Sequence, residues 1–161
     1  MARYVDAAKS GNTTAFAQLY SMVYQSMYNM AVYNLNNRED AQDAVSEAVT
    51  DAFVQIKTLK DPLAFRSWIV RILYAKIKRK QKSYVMEKGF VPIADQVVDT
   101  DTIELRSLLS TVEFEERRIV TLSVIFGYTS EEISKITGIK AATVRSKLAR
   151  TLALLRRNME R

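Results

Sequence analysis

The side chains best placed to do chemistry in this chain are cations in helical phase near its C-terminus. At 100° per residue, Val144, Leu148, Thr151, Leu152 and Leu155 fall on one side, the core side, and Ser146, Arg150 and Arg157 fall nearly opposite. Arg145 and Lys147 lie on the flanks, and Thr143 sits near the exposed centre of the first turns. Such a helix fits a DNA major groove. Ser146 and Arg150 would face base edges, Thr143 and Ala149 would lie beside them, and Arg145 and Lys147 would splay toward phosphates. Just upstream, Thr129 or Ser130 can accept amide hydrogens, Glu131 and Glu132 suit a positive helix end, and Gly138 permits a left-handed turn. A short capped helix, a glycine turn and a second helix starting near Ala141 make a helix-turn-helix. The plainer alternative, a solvated basic face on a bundle helix, leaves that turn chemistry unexplained.

Two further constellations lie in the first half. Asp40, Asp43, Glu47 and Asp51, with Gln42 and Ser46 alongside, form an acidic ridge opposite a stripe of Ala41, Ala44, Val45, Ala48, Val49, Ala52, Phe53 and Ile56. Acid–base catalysis would need a pocket and a nucleophile that this open face lacks. It is a solvated helix face or a docking surface for a basic partner, and periodicity does not choose between them. Next come Phe65, Trp68, Tyr74 and Tyr84 among Arg66, Arg71, Lys76, Lys78, Arg79, Lys80 and Lys82. Aromatic faces stack unpaired bases while cations hold the backbone, which is the chemistry of single-stranded nucleic acid. Trp68 alone also reads as core, and the run Lys76–Lys80 equally suits a membrane surface.

The elements that must carry these groups are helices. The 161 residues include only four glycines and two prolines, and apolar residues make up 48%, enough for one core or two modest ones. Cysteine and histidine are both absent, which removes disulfides, thiolate zinc sites and the commonest general base, so neither a cofactor nor an enzymatic activity is expected; carboxylate-only magnesium chemistry alone stays open. No bilayer-length apolar run and no signal-peptide core occur, so a cytosolic location is expected. Charge is segregated: residues 61–90 hold eight basic and two acidic side chains and residues 117–161 hold ten and three, around an acidic stretch, as two surfaces for a polyanion would. Apolar periodicity predicts helices over Thr13–Asn34, from a cap at Asp40 through Ile56, and from Phe65 to Lys82, with a loop at residues 57–64 around Pro62. It fails between Ser83 and Thr102, then resumes with Leu105, Leu108, Leu109 and Val112 and again with Ile119, Val120, Leu122, Ile125 and Phe126. The expected fold is all-α: two small helical domains, 1–84 and 103–161, joined by a flexible acidic linker at 85–102.

Three stretches in this order, Asp40–Ala48, Phe65–Ile72 and Tyr128–Leu148, resemble the extracytoplasmic-function group of sigma-70 RNA polymerase sigma factors over nearly the whole chain. The resemblance implies a transcription initiation factor that brings core polymerase to promoters. It implies that Asp40, Gln42, Asp43, Ser46 and Glu47 dock on the β′ clamp helices. It implies that Lys60, Asp61, Leu63, Arg66, Arg71, Tyr74, Ala75 and Lys76 recognise and open the minus-10 element, with one base flipped into a pocket of the loop 58–64. Thr143, Arg145, Ser146, Lys147, Ala149 and Arg150 would read the minus-35 element as duplex, near the polymerase β flap. The implied partners are polymerase, promoter DNA as duplex and single strand, and an anti-sigma protein, with no small-molecule substrate. Ser46 stands where the family usually has glutamine, Ala75 where many members have asparagine, with Lys76 a substitute, and Ala149 where some have a larger side chain. From the C-terminal half alone, a dimeric duplex-DNA regulator is the competing reading.

Overall fold

The computed structural model describes residues 1–87 and 100–161, with side chains in the second segment from Ile103 onward, and within these residues every regular element is helical. Most of the expected linker, residues 88–99, lies outside the described residues. At its edges the helices run further than periodicity suggested. The first module holds α1 (Ala2–Lys9), α2 (Thr13–Leu35), α3 (Arg38–Gln55) and α4 (Phe65–Met86). The second holds α5 (Thr100–Leu109), α6 (Phe114–Val120), α7 (Ser130–Thr137) and α8 (Ala141–Met159). Helix α1 has no counterpart in the sequence reading because only Val5 and Ala8 of its eight residues are buried, too few to mark a period.

Local chemistry sets the boundaries. The Asn12 side chain accepts the Ala15 amide hydrogen to start α2, and Asn36 ends it at φ 53°, a left-handed conformation that asparagine tolerates. Asn37, not Asp40, caps α3 by accepting the Asp40 amide hydrogen at 2.9 Å. Asp40 lies one turn in, where its charge still suits the helix dipole, and it accepts a hydrogen bond from the Tyr84 hydroxyl. The small buried stripe of α3, Ala41, Ala44, Val45, Ala48 and Ala52, lets α2 and α4 approach closely. Between α3 and α4 the expected loop is two 3-10 turns, Ile56–Thr58 and Pro62–Ala64. Asp61 caps the second by accepting the Leu63 amide hydrogen at 3.0 Å, with Pro62 at the position that needs no donor. Lys9 of α1 donates to the Leu59 carbonyl at 2.5 Å and holds this segment from beneath.

The second module is joined by a π turn, Thr121–Ile125, in which the Phe126 amide donates to the Thr121 carbonyl at 3.2 Å. Thr129 then caps α7 in a full capping box: its hydroxyl accepts the Glu132 amide hydrogen and the Glu132 carboxylate accepts that of Thr129. Gly138 stops α7 at φ 80°, and α8 begins three residues later. Thr129→Ala is expected to lose about 1 kcal/mol of stability, read as a drop of roughly 2–4 °C in Tm; an unchanged Tm would show that the box carries no weight.

The apolar core runs through both modules. Ile119, Leu122, Ile133, Ile136 and Val144 pack into the same cluster as Leu19, Met27, Phe65, Ile69, Leu73 and Ile77. A satellite of Leu109, Val112, Val120 and Leu155 lies within the second module. Burial of side chains this size stabilises by roughly 1.5–3 kcal/mol each, so the apposition of the modules is part of the fold rather than a grazing contact.

Candidate nucleic-acid interface

The helix-turn-helix comes out with the polar and basic side of its second helix outward. Val144, Thr151 and Leu155 of α8 are buried and Leu148 and Leu152 half-buried, while Arg145, Ser146, Ala149 and Arg150 are exposed and Thr143 is half-exposed. The cations differ in freedom. Arg145 pairs with Glu131 at 3.0 Å. Lys147 lies 2.6 Å from Glu115 and 3.1 Å from Glu116, and the hydrogen bonds it donates to those two carboxylates raise its ammonium above lysine's ordinary value. Lys147 thus ties α8 to α6 from the flank of the exposed face. Arg150 forms no ion pair with any described residue and donates only weakly to the Ser146 carbonyl, at 3.4 Å, leaving its fork available to a base edge.

The α4 surface departs from the aromatic platform that composition suggested. Phe65, Tyr74 and Tyr84 are all buried, at 0%, 3% and 6% exposure, and only Trp68 is half-exposed. Nine and ten residues apart, the three rings face different sides of α4, and each is buried because the helix is covered on more than one side; there ring area is worth more than at the surface. Tyr74 is therefore not an available base contact in this conformation: its hydroxyl accepts a hydrogen bond from Asn34 at 3.2 Å, and burial drives its ionisation far above the ordinary range. Lys60, Asp61, Arg66, Arg71 and Ala75 are exposed, and Leu63, 84% exposed, is an apolar side chain held in solvent at the tip of the loop. Lys76 turns the other way and pairs with Asp51 at 2.5 Å.

That pair begins a ladder along the acidic ridge. Glu47 meets Arg79 at 2.5 Å and Asp43 faces Lys80 at 3.9 Å. The ridge is not an uncompensated anionic stripe; α4 neutralises one edge of it, while Gln42 and Ser46 stay exposed on α3.

The largest departure concerns arginines of the second basic block. Arg117 and Arg118 are interior rather than displayed to a polyanion, as is Arg106. Arg117 donates to the Asn34 carbonyl at 3.1 Å and to the Val112 and Ser110 carbonyls at 3.2 and 3.3 Å, with its guanidinium 4.9 Å from the Phe114 ring centroid. Arg106 donates to the Asn36 side chain at 2.8 Å, and Arg118 donates to Gln81, which in turn donates to the Asn34 carbonyl at 3.1 Å. Helix α2 carries no basic residue in its own last turn, so cations from the second module occupy the negative end of its dipole. Burial pushes Arg117 down to about 10 and also lowers Arg118. Sequence offered no signal for this: composition counts these arginines with the surface ones, and only the helical phase shared with Thr121 hints that Arg117 points inward.

Among the described residues no cluster of three or more acidic, histidine or cysteine side chains could hold a metal ion, and no helix is long and apolar enough to cross a membrane. Compared with known proteins, residues 15–84 match the family model for sigma-70 region 2 and residues 102–155 that for sigma-70 region 4. The chain is 28% identical to RNA polymerase sigma factor SigV of Bacillus subtilis over 141 residues, covering 82% of this chain and 83% of that protein. It is 26% identical to ECF RNA polymerase sigma factor SigM of Mycobacterium tuberculosis over 162 residues, 97% of this chain and 83% of that one. In fold it is similar to CnrH, solved with the cytosolic domain of CnrY, with a TM-score of 0.78 at 21% identity over 99% of this chain and 96% of that one. It is likewise similar to the sigma factor RpoE of Bartonella quintana, solved with the anti-sigma factor NepR, with a TM-score of 0.76 at 18% identity over 90% of this chain and 96% of the other.

Proposed function

Because this chain belongs to the extracytoplasmic-function group of sigma-70 RNA polymerase sigma factors, we propose that its first module docks polymerase and handles the unpaired minus-10 strand while its second reads minus-35 duplex. A sigma factor directs promoter-specific transcription and supplies no catalysis of its own; the reaction belongs to the polymerase. The observation that carries the assignment is the order of the two matches along one chain, with the helix-turn-helix of α7 and α8 inside the second and the ridge of α3 inside the first. A dimeric duplex-DNA regulator accounts for the second match alone.

In this reading the polymerase surface comprises Asp40, Gln42, Asp43, Ser46 and Glu47. The minus-10 surface is the loop with Lys60, Asp61 and Leu63, continued by Arg66, Arg71 and Ala75. Lys76 and Tyr74 join it only if α4 gives up their present partners, Asp51 and Asn34. Thr143, Ser146, Ala149 and Arg150 face minus-35 base edges, with Arg145 and Lys147 toward phosphates. The protein works in the cytoplasm with the polymerase, and the two solved complexes support an inhibitory protein as a further partner.

Run-off transcription with purified core polymerase tests the assignment: the chain is expected to produce discrete starts that core alone does not, and no footprint without core. A footprint over a palindrome in the absence of polymerase would replace this reading with the regulator. Within the same assay, Arg150→Ala is expected to weaken recognition at one minus-35 base pair by about 1–3 kcal/mol, whereas Lys147→Ala lowers affinity for all sequences alike. Equal losses on every DNA from both variants would remove base readout from Arg150.

A further inference from the structure

Where the two modules meet, α4, α6 and α7 enclose a crevice of about 280 Å³. Its walls carry four cations: Arg71 and Lys78 from α4, Arg118 from α6 and Lys135 from α7. One carboxylate, Glu115, is present, and it is already committed to Lys147 at 2.6 Å. Arg71, Lys78 and Lys135 pair with no described carboxylate within 4.0 Å, and Arg118 gives its hydrogen bond to the neutral amide of Gln81. The opposite edge of α4 shows what a compensated surface looks like in this protein. There Lys76, Arg79 and Lys80 each face an acid on α3. Closing the modules therefore brings Lys135 and Arg118 up to Arg71 and Lys78 with only Glu115 and Glu116, both also drawn to Lys147, acting on Arg118 from the acidic side, and the excess of like charge in the crevice opposes in part the closure that the shared core favours.

We propose that this crevice binds a small polyphosphate-bearing anion, which neutralises the four cations and holds the two modules closed. Several separate helices supply the charge, as a chain of phosphates requires, and the half-buried Ile139 and buried Ile136 give an apolar wall for an organic portion of the ligand. The enclosed volume takes a diphosphate or triphosphate group and excludes a duplex. Arg71 belongs to the surface assigned above to the minus-10 strand, so ligand and promoter compete for it, and the liganded chain is silent. The binding claim itself stands on the crevice and not on that assignment.

The chain has no cysteine, so Thr50→Cys on α3 and Ala153→Cys on α8, both at exposed positions, accept a fluorophore pair that reports the separation of the modules in the full chain. Inorganic pyrophosphate, and ATP in a second arm, are expected to raise energy transfer saturably at micromolar concentration and to raise Tm. Potassium chloride at equal ionic strength is not. Lys135→Ala is expected to weaken the apparent affinity at least tenfold, and Lys135→Glu to close the modules without ligand and abolish the response. The proposal fails if pyrophosphate and ATP act no more strongly than chloride, if Lys135→Ala binds as the parent does, or if only a single-stranded oligonucleotide produces the change. Because the readout is shape rather than transcription, that failure leaves the sigma assignment standing, and a chain that closes on pyrophosphate yet starts no transcripts fails only the assignment.

Discussion

Reversing Asp43 and Glu47 together to lysine is expected to lower affinity for core polymerase at least a hundredfold while leaving the helical fold in place. The Asp43 side chain is 60% exposed and that of Glu47 42%, and solvent-accessible pairs of this kind contribute about 0–1 kcal/mol each to stability. Losing the contacts to Arg79 and Lys80, and setting lysine beside them, therefore moves Tm by only a few degrees. At an interface the same change converts attraction into like-charge opposition, which costs several kcal/mol and slows association as well. Interferometry with immobilised core polymerase, alongside thermal melting of the free variant, separates the two effects. Undiminished binding would discard α3 as the docking surface. The ladder adds a refinement: Asp43→Asn with Glu47→Gln leaves Arg79 and Lys80 unpaired and is expected to bind more weakly than the parent but measurably better than the double reversal.

Removing the Arg117 side chain should be the most damaging single truncation in the second module. Arg117→Ala strips hydrogen bonds from the carbonyls of Asn34, Ser110 and Val112; the Asn34 carbonyl keeps only Gln81 and the buried Val112 carbonyl loses this donor, at about 1–3 kcal/mol for an unmet desolvated acceptor, and the emptied guanidinium site adds a cavity. A net loss of about 3 kcal/mol, or roughly 6–12 °C in Tm, is expected by calorimetry. Arg117→Met refills most of the volume without the buried charge and should recover part of that loss, since desolvating a cation is itself costly. If both variants melt with the parent, the arginine does not cap α2.

What the sequence revealed and what it withheld follow from the range of the forces involved. The Thr129–Glu132 box, the Gly138 stop and the outward phase of Ser146 and Arg150 are encoded within one or two turns, so spacing alone exposes them. The stripes of α2 and α3 were equally plain because one side of each meets a continuous apolar neighbour. Tyr74 reads as a stacking platform because it stands between cations, yet its partner Asn34 lies forty residues away. Asp40 looked like a cap because acids begin helices, but Asn37 does that work one turn earlier. Arg117 and Arg118 fall among the polyanion-facing charges by composition, because nothing local records that the end of α2 waits eighty-three residues upstream of Arg117. The closed arrangement of the modules rests on such distant pairings and on Ile119, Leu122 and Ile136, whose apolar character is common to any core.

The clasp at the end of α2 joins guanidinium groups to carbonyls and amides, none of which gains or loses a proton in living cells. Each ion pair described above lies within one module. Arg117, depressed to about 10, binds fewer protons in the folded state only between that value and arginine's ordinary one, so its contribution shifts with acidity in that alkaline window alone. An acid load thus leaves this grip untouched.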